Sequence, residues 1–201
     1  MSHDGPLRLA CLVSGGGRSV LNLQDRIERG ELPATIGLVL STREGVPAIG
    51  RARARGLPAR EVPAEPRATL DDRVDAALRE AGTQLVVLAG YLRLFRVQGW
   101  RGRCINIHPA LLPRHGGKGL WGHHVHEAVL AAGDRESGCT VHWVDEQYDH
   151  GETILQRRCP VLPGDTPDTL AARVFAEELE ALPEAIRRVG AGGSAAIRTA
   201  I

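Results

Sequence analysis

Asn106 and His108 stand two residues apart in Cys104-Ile105-Asn106-Ile107-His108-Pro109. On an extended backbone, residues i and i+2 project from the same face. A carboxamide can donate two hydrogen bonds to a developing oxyanion, and an imidazole can move a proton near neutral pH. Pro109 removes a backbone donor and fixes φ, so the strand should stop there and leave His108 at its carboxyl end. In open α/β sheets, ligands bind outside that end. A carboxylate from the turn Asp145-Glu146-Gln147-Tyr148-Asp149 would complete a set suited to acyl transfer. Such a reaction needs a holder for the tetrahedral oxyanion, a carrier for the proton and a group that orients the carrier. No Ser or Cys sits in a nucleophile-elbow motif, so direct transfer is more economical than a covalent enzyme intermediate. The same pair also suits a strand end whose two polar groups are simply satisfied.

The surrounding pattern supplies the scaffold. Leu7–Val13 reads as a buried strand that runs into Ser14-Gly15-Gly16-Gly17-Arg18-Ser19 and then into a helix over 20–29, with Val20, Leu23 and Ile27 at helical spacing. The glycine spacing is neither Gly-x-Gly-x-x-Gly nor a Walker loop. That disfavours a dinucleotide or a nucleoside triphosphate. It leaves either a smaller phosphorylated ligand at the helix amino terminus or a tight turn alone. Strands are expected over 36–41, 61–62 and 85–89, and helices over 46–55 and 69–81. Gly90–Phe95 is an apolar loop at another carboxyl strand end, suited to lining a pocket for a flat heterocycle or to plain core packing.

After the central strand, four glycines fall within 114–122, around Lys118, the only lysine in the chain. A helix is expected over 123–132. A strand over 138–144 places Thr140, His142 and Val144 on one face. Another strand begins at Thr153, and a last helix is capped by Thr166-Pro167 and runs to about Val189. This alternation predicts an α/β fold of three layers, a mostly parallel twisted sheet with helices on both faces. One domain is expected over 1–189, with 190–201 as a tail.

Composition narrows the function. A net charge of +1 over 201 residues carries no electrostatic footprint for nucleic acid. No apolar run approaches the ~20 residues of a membrane span, and no signal peptide is visible, so a cytoplasmic location is expected. Cys11, Cys104, Cys139 and Cys159 are far apart and suit buried reduced thiols. His124 and His126 face different sides of a helix with no carboxylate or Cys at ligand spacing, so no metal is expected.

On four stretches the chain resembles the phosphoribosylglycinamide formyltransferase family. They are Asn106-Ile107-His108-Pro109 with Leu111-Leu112-Pro113; Leu88-Ala89-Gly90-Tyr91-Leu92-Arg93; Gly138-Cys139-Thr140-Val141-His142-Trp143-Val144; and Asp149-His150-Gly151 leading to Ile154-Leu155-Gln156. Ser14–Gly17 and Ala172-Arg173-Val174 with Glu178 and Pro183 match as well. The resemblance implies transfer of a formyl group from 10-formyltetrahydrofolate, a co-substrate, to glycinamide ribonucleotide in a Rossmann-like fold, by a monomer or homodimer. It makes Asn106, His108 and Asp149 catalytic. Gly15, Gly16, Gly17, Arg18 and Ser19 would hold the substrate phosphate. Lys118 and Glu178 would contact the acceptor, and Leu92, Arg93, Leu94, Phe95, Val144 and Asp145 the folate. Two departures stand out. Gly16 stands where the family usually has Asn between the first glycines, and Arg18-Ser19 where it has Ser-Asn, which leaves another phosphorylated amine open as acceptor. His150 replaces the usual Gly beside Asp149. The alternatives are formyltetrahydrofolate hydrolysis and, outside enzymes, a folate- or phosphometabolite-binding protein.

Overall fold

Seven strands and five α-helices are present in the computed structural model, which describes residues 5–196, with side chains through 191. The α/β class is the one expected. The chain divides into two compact units, the first ending at Arg96 and the second beginning at Val97.

The first unit alternates β1 (Leu7–Val13), α1 (Arg18–Glu28), β2 (Ala34–Ser41), α2 (Pro47–Ala54), β3 (Ala59–Glu61), α3 (Leu70–Glu80) and β4 (Leu85–Leu88). Its strands are parallel in the order β3-β2-β1-β4. Parallel strands covered by crossover helices lose the polar/apolar alternation. Accordingly Leu9 to Val13 and Leu85 to Val87 are each 0% exposed. Truncating a leucine there should cost about 2–5 kcal/mol, the transfer term plus the cavity. On α3, Leu70, Val74, Ala77 and Leu78 are the buried face, as their spacing predicts, while Asp71 and Asp72 occupy the first turn, where the helix dipole favours negative charge. The strand order reverses beside β1. The loops leaving β1 and β4 therefore flank a switch point, the place where such sheets bind ligands.

The second unit holds β5 (Cys104–His108), α4 (His123–Ala131), β6 (Glu136–Trp143), β7 (Thr153–Pro160) and α5 (Pro167–Ala196). Here the pairings are antiparallel, β5 with β6 and β6 with β7. β5 ends at His108, as Pro109 predicts. The register sets Asn106 opposite His142 and His108 opposite Thr140. Directly paired residues share a face, so these four side chains are gathered by strand pairing alone.

Several boundaries differ from expectation: β2 begins at Ala34 rather than 36, β3 covers Ala59–Glu61 rather than 61–62, and β6 begins at Glu136 rather than 138. α1 starts at Arg18, because Gly17 takes the left-handed conformation (φ 73°) and lets the helix begin at once. The last helix continues through Ala196 rather than ending near Val189. Glycine in a helix costs roughly 1 kcal/mol relative to Ala but forbids nothing, so the glycines after Val189 do not stop it. Residues 197–201 of the expected tail lie outside the described residues.

Candidate active site

The turn after β6 brings Asp149 to the two polar residues of β5. Asn106 Nδ2 lies 3.3 Å from Asp149 Oδ1 and 3.0 Å from His142 Nε2. Asp149 Oδ2 accepts the Gly117 N–H at 3.0 Å and stands 3.4 Å from His108 Nδ1. The other ring nitrogen, His108 Nε2, is 2.8 Å from the His115 carbonyl oxygen. A carbonyl only accepts, so the His108 proton sits on Nε2 and the Nδ1 lone pair faces Asp149. Asp149 supplies charge, while a main-chain carbonyl selects the tautomer, a partner with no signature in the sequence.

Burial makes the set costly unless it is paired. The side chains of His108 and Asp149 are 5% and 9% exposed. Burial pushes the His108 pKa down and prevails over the Asp149 charge and the His115 hydrogen bond, which push it up; nearby His142 and His115 add to the depression. The ring is therefore neutral, and a base, near neutral pH. For Asp149, burial opposes ionisation, but its polar surroundings, the Gly117 N–H and His108 among them, hold its pKa below the ordinary carboxylate value.

The backbone around the set is tightly fitted. Asp149 and His115 both adopt positive φ, 54° and 55°, a conformation few non-glycine residues take. A Cβ on Gly116 would collide with Leu112 and come within 3.2 Å of Asp149 Cβ, and one on Gly151 would overlap the Trp143 carbonyl oxygen. These glycines allow the 114–117 and 149–151 segments to close on the cluster. Thr140, 0% exposed, pins the chain leaving β5. Its hydroxyl donates to the Ala110 carbonyl at 2.6 Å and accepts from Leu112 N at 3.0 Å and Gln156 Nε2 at 2.9 Å.

In the first unit the glycine loop and the loop after β4 are tied together. Ser14 N donates to the Gly90 carbonyl at 2.9 Å, and Leu92 N donates to Ser14 Oγ at 3.1 Å. The Gly15 carbonyl accepts from Ala48 N at 3.1 Å and the Gly16 carbonyl from Arg51 Nη1 at 2.7 Å. α1 begins at Arg18, directly after these glycines, and the N–H groups and dipole of a helix amino terminus favour an anion. A Cβ on Gly17 would lie 2.7 Å from Ala48 Cβ, so this glycine is needed for close approach of α2. Leu92 and Leu94 are each 39% exposed, whereas Phe95 is buried. Arg93 pairs with Asp71 at 2.8 Å.

The second unit thus gathers Asn106, His108 and Asp149 and adds two residues that sequence reasoning did not single out, His142 and His115. His142 could have been found from its position on the Thr140 face of β6. His115 acts through its main chain. Asp145 lies in the same turn as Asp149 and pairs with His150 Nδ1 at 2.7 Å; burial opposes its ionisation, yet that contact and the Gln147 N–H hold its pKa low. Glu178, on α5, is close enough to Cys139 to help raise its thiol pKa, where burial is the larger cause. The four cysteines are buried, and burial pushes Cys11 and Cys139 up to about 12, so neither is a thiolate nucleophile.

His126, on α4, is 4% exposed and its Nδ1 has no protein partner. Burial, with His123 and His108 nearby, pushes its pKa from 6.5 to about 4. Unfolded chains protonate this group near 6.5 and the folded chain only near 4, so stability falls as pH drops through that window. The effect is on the order of 3 kcal/mol. His126→Met should flatten the fall, which denaturant unfolding of parent and variant between pH 7 and 4 will measure.

A half-buried carboxamide, a buried imidazole and a largely covered carboxylate on an α/β scaffold form the equipment of proton-assisted group transfer. The formyl transferase family pattern matches residues 7–186, and the chain belongs to that family. It is 40% identical over 179 residues to the chloroplastic phosphoribosylglycinamide formyltransferase of Arabidopsis thaliana, covering 85% of this chain and 61% of that protein. It is 38% identical to the trifunctional purine biosynthetic protein adenosine-3 of Drosophila pseudoobscura pseudoobscura, covering 92% of this chain and 14% of that protein. The chain therefore spans about three fifths of the first relative and a small part of the second. Among solved structures, glycinamide ribonucleotide transformylase 1 from Symbiobacterium toebii superimposes with a TM-score of 0.87 at 36% identity, covering 93% of this chain and 89% of that one.

Proposed function

We propose that the chain transfers the formyl group of 10-formyltetrahydrofolate to the amine of glycinamide ribonucleotide, a step of purine biosynthesis. The observation that carries this reading is the convergence of Asp149, 43 residues beyond Asn106, on the Asn106 and His108 side chains of the second unit. The neutral amine attacks the formyl carbon and a carbon–nitrogen bond forms. The formyl oxygen becomes an oxyanion, met by an Asn106 N–H. The proton of the attacking nitrogen passes to the His108–Asp149 pair, and Asp149 stabilises the imidazolium that forms. The proton then passes to the departing folate nitrogen as the old carbon–nitrogen bond breaks. Gly15 to Ser19 are assigned to the substrate phosphate and Lys118 and Glu178 to the acceptor. Leu92 to Phe95, Val144 and Asp145 are assigned to the folate. No helix among the described residues is long and apolar enough to cross a membrane. The four unpaired cysteines favour a reducing compartment, and we place the reaction in the cytoplasm.

The test is release of tetrahydrofolate on mixing the chain with 10-formyltetrahydrofolate and glycinamide ribonucleotide. Release that needs the amine supports transfer; equal release without it would mark a hydrolase. Gly16→Val gives a second check. A Cβ there meets only the Arg51 guanidinium, at 3.2 Å, the movable end of a long side chain. The variant should fold normally, raise KM for the phosphorylated acceptor about tenfold or more by crowding the anion-binding amides, and leave KM for the folate little changed. Equal loss of both would count against the phosphate assignment.

A further inference from the structure

We infer that His142 is a positioning residue for formyl transfer, whose Nε2 lone pair fixes which end of the Asn106 carboxamide is the donor. The proposal rests on the transfer reading above for its kinetic consequence, but its structural content is independent of it. The two ends of an asparagine amide have nearly the same shape, so packing cannot choose between them, and only the polarity of the neighbours can. His142 Nδ1 lies 2.8 Å from the Trp143 carbonyl oxygen. That oxygen accepts only, so Nδ1 carries a proton, and under this proposal His142 Nε2, the nitrogen that faces Asn106, keeps a bare lone pair. Asn106, its cross-strand partner, answers with Nδ2 at 3.0 Å. Asp149 Oδ1, also an acceptor, lies near the same amino group at 3.3 Å. Asp149 itself is 3.7 Å from His142 Nε2, too far for a hydrogen bond, so the lone pair belongs to Asn106.

The chain of choices thus runs from a main-chain carbonyl, through a buried ring 2% exposed, to one amide. One Nδ2 hydrogen is held by His142. The second, on the longer contact to Asp149, is the one able to move to a developing oxyanion. An amide turned end for end would offer its own oxygen to that oxyanion and repel it. His142 touches neither reactant in this account; it acts through Asn106.

The experiment is a two-bond nitrogen–proton correlation spectrum of the full chain labelled in its histidines, with His142 assigned by comparison with His142→Gln. The expected result is a neutral ring protonated on Nδ1 at pH 7. A ring protonated on Nε2, or an imidazolium, overturns the proposal whether or not the protein transfers formyl groups. Kinetics add a second reading. His142→Phe fills the space without an acceptor, whereas His142→Gln can restore one. The Phe variant should lose about 10–10² in kcat with both KM values within a few-fold, because the lost contact is one aimed at the oxyanion. The Gln variant should recover most of that loss. Equal loss in both variants, or loss confined to KM, overturns it. If the parent transfers no formyl group, the functional reading falls, and the spectrum alone decides the tautomer.

Discussion

His108→Ala is expected to lower formyl transfer by about 10²–10⁴, with the fold and folate binding retained. The ring is neutral near pH 7 because burial outweighs the Asp149 charge, and its Nδ1 lone pair is directed by the hydrogen bond from Nε2 to the His115 carbonyl. Removing it leaves the attacking amine with no partner for its proton. Asn106→Ala should cost about 10²–10³, the usual loss for one oxyanion donor. Asp149→Asn has a more particular signature. The carboxylate favours the imidazolium, so its loss depresses the already lowered His108 pKa further. The acid limb of kcat/KM should therefore lie below the ordinary histidine range in the parent and move lower still in Asp149→Asn, while the plateau falls. Because the three groups act together, a double variant should be little worse than the poorer single one. Steady-state rates across pH, with folding and folate binding measured separately, check all of this. An Asp149→Asn variant with the parent's rate and profile would remove Asp149 from the mechanism and leave Asp145 or Glu146 as the carboxylate of that turn to test.

Gly151→Ala is expected to cost more than about 3 kcal/mol, beyond the usual range for an overpacked side chain. The added Cβ would overlap the Trp143 carbonyl oxygen. Neither side can retreat easily. Trp143 N donates to the Glu152 carbonyl at 2.9 Å, and the β6–β7 register shifts between Val141 and His142 as the strands approach this turn. Relief requires opening the hairpin, and Asp149, two residues earlier at positive φ, would be carried away from Gly117 and Asn106. Stability and turnover should therefore fall together, in contrast to Gly16→Val, which should lose acceptor binding without losing stability. The denaturant midpoint, read at unchanged m, measures the first effect. An unchanged midpoint would show that the turn accommodates a side chain and that the glycine of Asp149-His150-Gly151 has another purpose.

Much of this molecule is determined by its sequence alone. Local rules suffice for the alternation of strands and helices, the stop of β5 at Pro109, the shared face of Thr140 and His142, and the start of α5 at Pro167, because each depends on residues a few positions apart. Glycines placed the loops after β1 and around Lys118 correctly, since left-handed backbone is cheap only there. They misled at the end of α5, where they weaken a helix without breaking it. The tertiary structure decided what lies across from what. The pairing of Asn106 with His142, the reach of Asp149 to both β5 residues and the approach of Gly151 to Trp143 all depend on register and turn closure. A one-residue slip would have exposed a different set of side chains with the same hydrophobic pattern. The partners that select tautomers, the carbonyls of His115 and Trp143, are main-chain atoms common to every residue. Side-chain identity therefore cannot announce them, and only the path of the backbone in space puts them beside an imidazole.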